Sequence, residues 1–91
     1  MAEYTKIQEE LQGEIALSEK QDLVLYDDDF NTFDHVIETL IDVCNHEEEQ
    51  AEQCALLTHL KGKCAVSSGL YKDLKTKYNI ISERGLTVKI Q

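Results

Sequence analysis

The spacing of apolar residues changes several times along this chain, and each change marks an element. Residues 1 to 20, MAEYTKIQEELQGEIALSEK, scatter Ile7, Leu11, Ile15 and Leu17 among polar side chains, with Gly13 interrupting them. Isolated helices of that length are marginal in water, so the segment reads as a flexible N-terminal extension of a single domain at 21 to 91. Residues 21 to 26, QDLVLY, are too few for a helix and rich enough in Val, Leu and Tyr for a buried strand. From Thr32 the period becomes three and four, at Val36, Ile37, Leu40, Ile41 and Cys44, which predicts a helix. Asn31 is its expected N-cap, and Asp34 places a carboxylate at the positive end of the dipole.

A second helix is expected after Asn45, with Glu47, Glu48 and Glu49 in its first turn and Gly62 at its end. Its apolar face carries Ala51, Cys54, Ala55, Leu57 and Thr58, with Leu56 and Leu60 beside it. CAVSS at 64 to 68 reads as a short strand. A third helix follows over about 70 to 83, with Leu70, Leu74, Tyr78 and Ile81 at helical spacing and Ser68 or Gly69 ahead of its first turn. Gly85 breaks that helix, and LTVKI at 86 to 90 alternates as a half-buried strand should. The order β-α-α-β-α-β predicts a small α+β sandwich, one sheet covered on one face by helices.

At 91 residues, 42% of them hydrophobic, with no Pro and four Gly, the chain is sized for one compact core. No basic leader precedes an apolar stretch, and nowhere do about eighteen apolar residues run together, so the expected address is the cytoplasm, with no membrane partner. Cys44, Cys54 and Cys64 are odd in number and form no C-x-x-C pair; Cys44 and Cys54 read as small core residues rather than as zinc ligands beside His46 or His59. The net charge of −9 is unevenly spread. Residues 1 to 54 hold sixteen Asp and Glu against Lys6 and Lys20, whereas 55 to 91 hold seven basic residues against Asp73 and Glu83. So opposed a distribution disfavours nucleic acid and suits a charged surface for another protein.

The densest charge lies in YDDDFNTFDHV at 26 to 36. Asp27, Asp29, Asn31, Phe33, His35 and Glu38 occupy positions 1, 3, 5, 7, 9 and 12 of an EF-hand calcium loop. Three features count against that reading: Thr32 stands where the sharp turn needs Gly, Asp34 stands where an aliphatic side chain is buried, and QDLVLY supplies no preceding helix. A solvated turn of cap-forming residues accounts for the corner more simply. No nucleophile and base pair, phosphate loop or metal spacing marks the chain as an enzyme, and no cofactor is implied.

Three stretches in register, YDDDFNTFDHV, LLTHLKGKCAV and LKTKY, resemble the ClpS adaptors. These proteins bind a substrate by its N-terminal residue and hand it to a Clp unfoldase and protease. The resemblance covers about residues 22 to 91. Their motifs are N-D-D-[YF]-T-P-M-E-[FY]-V, a valine-histidine step followed by glycine, and a T-K step in the third helix. The resemblance implies the family's fold, a three-stranded antiparallel sheet packed against three helices. It implies that Asp27, Asp28 and His59 grip a peptide's α-ammonium and first amide, and that Phe33, Val36 and Ala55 line a side-chain pocket. Lys72, Thr76 and Lys77 then fall on the face that docks on an unfoldase of the ClpA or ClpC kind.

The family pattern also implies a non-enzymatic adaptor, monomeric when free, that delivers proteins with a bulky hydrophobic N-terminal residue for degradation. Several positions depart from it. Asp27 replaces Asn, Thr32 replaces Pro, Phe33 replaces Met, Ala55 stands at a bulky gate position and Lys72 stands where an acidic residue is usual. Such changes leave a second reading open: a protein-docking module of the same fold that has lost or changed recognition of N-terminal residues.

Overall fold

The structure, a computed structural model, describes residues 19 to 91. It consists of β1 (Lys20–Tyr26), α1 (Phe33–Cys44), α2 (Glu48–Lys61), β2 (Lys63–Leu70), α3 (Tyr71–Glu83) and β3 (Thr87–Ile90). The strands pair antiparallel in the order β2-β1-β3, so the apolar run of β1 is central. Leu23, Val24 and Leu25 are all buried. Leu23 and Leu25 join the core with Leu40 of α1, Ala51 of α2, Val66 of β2, and Leu74 and Ile81 of α3. Leu86 and Val88 close it from the β3 end. On the opposite face of the sheet, Tyr26 carries the Lys89 ammonium 5.2 Å from its ring centroid, and its hydroxyl donates to Gln91 Oε1 at 2.8 Å.

The α+β order and the antiparallel sheet are as the sequence leads one to expect. The expected extension over 1 to 20 falls almost wholly outside the described residues, and β1 begins at Lys20.

Several boundaries shift for identifiable reasons. The N-cap of α1 is Thr32, not Asn31: the Thr32 hydroxyl accepts from His35 N at 3.1 Å, while the Asn31 side chain is engaged elsewhere. β2 runs to Leu70 because Gly69 and Leu70 pair with Gln21 and Lys20. Leu70 therefore becomes the N-cap of α3, and Ser68 and Gly69 lie within the strand. The helix α2 buries Ala51, Ala55 and Thr58 as expected, but Leu57 lies 40% exposed. α2 ends at Gly62, whose φ of +89° is left-handed and whose N–H donates to Thr58 O.

The ladder between β1 and β2 skips Val66, because Leu23 pairs with Ser67 and Val24 with Ala65. This bulge turns Val66 into the core and frees its carbonyl. Buried His46, just before α2, meets that carbonyl by donating from Nε2 at 2.7 Å. His46 is thus the interior histidine, satisfied at Nε2 while its buried Nδ1 has no hydrogen-bond partner among the described residues.

Leu23 is fully buried at the centre of the sheet. Leu23→Ala is expected to cost about 2–5 kcal/mol of stability, read from urea unfolding, through lost burial plus the cavity it leaves.

Candidate functional site

The acidic corner sits at the C-terminal end of β1, just past its last ladder pairs at Tyr26. Asp27 N donates to Gly62 O at 2.9 Å, which fastens the strand end to the turn closing α2. The chain then turns around Asp28. Its Oδ1 accepts from the backbone N–H of Phe30 at 2.9 Å and of Asn31 at 2.8 Å, an Asx turn. The Asn31 amide donates to Asp28 Oδ2 at 2.8 Å and also to Gly85 O at 3.0 Å, in the turn between α3 and β3. Thr32 caps α1 next, and the first turns of that helix present Phe33 and Val36.

Opposite them stands the last half of α2, where Ala55, Thr58 and His59 recur at spacings of three and four and so share one face. Between α1, α2 and the end of β1 lies a cleft of about 290 Å³. Leu25, Phe33, Val36 and Ala55 give it apolar walls. Asp27, Asp28, Asp29 and His59 line it too, and among the described residues no Lys or Arg does. The Phe33 and His59 rings meet edge to face, 5.9 Å between centroids at 70°. His59 Nδ1 lies 3.9 Å from Asp27 Oδ1, beyond hydrogen-bond range, with the histidine side chain 62% exposed.

The electrostatics of the corner follow from these contacts. Burial pushes the Asp28 carboxyl up, but hydrogen bonds from the Asn31 backbone, the Asn31 side chain and Phe30, with His35 nearby, outweigh it. The net result is a pKa below the ordinary aspartate value, so Asp28 is ionised. The Cys54 thiol is pushed up to about 12 by burial, by a hydrogen bond with Cys64 and by the charges of Cys64 and Cys44. It is therefore protonated at neutral pH and is neither a ready nucleophile nor a ready metal ligand.

Asp27, Asp28, Phe33, Val36, Ala55 and His59, read from the sequence as one site, do line one cleft. His59 is exposed at that cleft rather than a core residue. The calcium-loop reading fails geometrically: α1 starts at Phe33, inside the would-be loop, and Asp28 and Asn31 are bonded to each other. Among the described residues no group of three or more His, Cys, Asp or Glu is arranged to hold a metal. Lys72, Thr76 and Lys77 lie on α3, away from the cleft. Lys72 and Thr76 are exposed, whereas Lys77 donates to Ser67 Oγ at 2.9 Å.

The sequence reading missed Leu25, Tyr26, Asp29, Asn31 and Thr58 as lining residues. Thr58 had a signal, since it stands three residues after Ala55 on the same helix face.

The family model of the ATP-dependent Clp protease adaptor protein ClpS matches residues 17–89. The chain belongs to the ClpS family. It is therefore an adaptor and not an enzyme. Among solved structures, that of Agrobacterium tumefaciens ClpS2 bound to L-phenylalaninamide superposes with a TM-score of 0.73 at 19% identity. The match covers 81% of this chain and 96% of that one, which establishes a shared ClpS fold. No curated protein matches the chain.

Because Asp28 titrates lower in the folded than in the unfolded chain, its ionised form stabilises this ClpS domain above the unfolded pKa, near about 4. That contribution is lost as pH falls through the folded value. Urea unfolding followed across the acid range should show this limb in the wild type and a flatter one in Asp28→Asn.

Proposed function

We propose that the cleft binds the first residue of a protein substrate, and that the adaptor delivers that substrate to an AAA+ unfoldase of the ClpA or ClpC kind. The observation that carries this reading is the pairing of apolar walls with carboxylates in one cleft of about 290 Å³, with no Lys or Arg among the described residues that line it. A free α-amino group is largely protonated at neutral pH. A carboxylate about 4 Å from it, near a protein surface, attracts it by roughly 4 kcal/mol before desolvation costs. Asp27, Asp28 and His59 would meet the ammonium, and Phe33, Val36 and Ala55 would enclose the side chain. L-phenylalaninamide, bound by the Agrobacterium relative, has an amino group and an aromatic side chain, the two features this cleft suits.

The departures from the family pattern shape the specificity. Asp27 supplies a charge where Asn would supply an amide donor, which favours an ammonium over a carbonyl beside it. Ala55 leaves room that a larger residue would fill, so aromatic and leucine side chains are the expected cargo. The docking surface in this proposal is the exposed side of α3 around Lys72 and Thr76, with Lys77 at its margin.

Fluorescence anisotropy with peptides beginning Phe, Tyr, Trp, Leu or Met, each beside its N-acetylated twin and a Gly-initiated control, tests the proposal directly. Micromolar binding abolished by acetylation is expected. No binding to any of them would mean that the fold serves a different docking partner. Ala55→Met, which narrows the cleft, should weaken the Trp peptide more than the Leu peptide in the same assay.

A further inference from the structure

The corner that holds Asp28 is fastened to a turn more than fifty residues away in sequence. Two successive carbonyls of the α3–β3 turn receive side chains from it: Gly85 O accepts from Asn31 Nδ2 at 3.0 Å, and Arg84 O accepts from His35 Nε2 at 2.8 Å. Arg84 itself reaches back to Asp42 Oδ2 on α1 at 3.0 Å. Asn31 is the only one of these residues that also touches a carboxylate lining the cleft. Its amide has two hydrogens, which suffice for one bond to Asp28 Oδ2 and one to Gly85 O.

We propose that Asn31 is a positioning residue for the ammonium site: its amide clamps the Asp28 carboxylate between the Asx turn and the α3–β3 turn. The inference rests on the peptide-binding reading above. A carboxylate has about four lone-pair directions. Phe30 N and Asn31 N use two on Oδ1, and Asn31 Nδ2 uses one on Oδ2. What remains for a ligand is one direction on Oδ2, and the clamp fixes where it points. Without the clamp the carboxylate is held only through Oδ1 by the Asx turn, Oδ2 loses its protein partner, and the ammonium must order it on binding.

Two features of the sequence bear on this device. The family motif has Thr at the position of Asn31, and a hydroxyl with one hydrogen can donate to Asp28 or to Gly85 but not to both. Gly85 has a φ of +89°, and the nearest atom to a β-carbon built there would be Asn31 Oδ1 at 3.9 Å. Space therefore does not demand glycine at 85; the left-handed backbone does, and that backbone aims the carbonyl at Asn31. Gly85, outside the cleft, is in this way tied through the lining residue Asn31 to binding inside it.

The test uses Asn31→Thr, which restores the motif residue, and Gly85→Ala, with the double variant. In the peptide-free protein, an NMR titration of the Asp28 carboxyl carbon reads the clamp itself. Asp28 should titrate at higher pH in Asn31→Thr than in the wild type. Anisotropy with the Phe-initiated peptide should show roughly tenfold weaker binding in each single variant. The double variant should be no weaker than either single, because both changes break one tie. Unchanged Asp28 titration, or shifted titration with unchanged affinity, overturns the positioning role while leaving the peptide-binding reading intact. A wild-type protein that binds no peptide removes the reading itself, and the positioning role with it.

Discussion

Everything in this adaptor hangs on one seven-residue strand. β1 pairs along both edges, supplies Leu23 and Leu25 to the core, and ends where the carboxylates of the cleft begin. The backbone bond from Asp27 to Gly62 then joins the strand end to the close of α2. Core and site are therefore not separable modules: the burial that fixes β1 also sets the height at which Asp27 and Asp28 face His59. A domain of this size has little surplus burial, so a site built at the end of its central strand borrows rigidity that no surface loop would offer.

The main outline was legible because the apolar periods are clean. The run LVL is buried throughout, and the residues at 36, 37, 40, 41 and 44 all pack on or within the core. What the sequence left open were choices between equivalent local signals. Asn31 and Thr32 are both good caps, and the choice was made by partners that local pattern cannot see: Asp28 on one side and Gly85, 54 positions away, on the other. The length of β2 was likewise fixed by its pairing with Lys20 and Gln21. His46 and His59 look alike in composition. The bulge at Val66 decides between them, since it creates the buried carbonyl that His46 satisfies and leaves His59 for the cleft. The cleft residues became readable only together, through spacing shared with a family.

The departures from that family acquire physical meaning in the fold. Thr32 in place of Pro gives α1 a hydroxyl cap that proline lacks, and this releases Asn31 for its bonds to the corner. Phe33 leans its ring against His59 on the far side of the cleft. Ala55, opposite, is small enough to leave that space open. These substitutions answer one another across the cleft, and single replacements by the family residue should not be read as independent.

The bulge in β2 has a further consequence. Among the described residues the sheet has three strands, with β2 and β3 at its outer edges. A flat outer edge is a template for strand addition between molecules. Here β2 is broken in its pairing register at Val66, and β3 is four residues long with Lys89 along it. The same break in register that gives His46 its partner makes the β2 edge a poor template for strand addition.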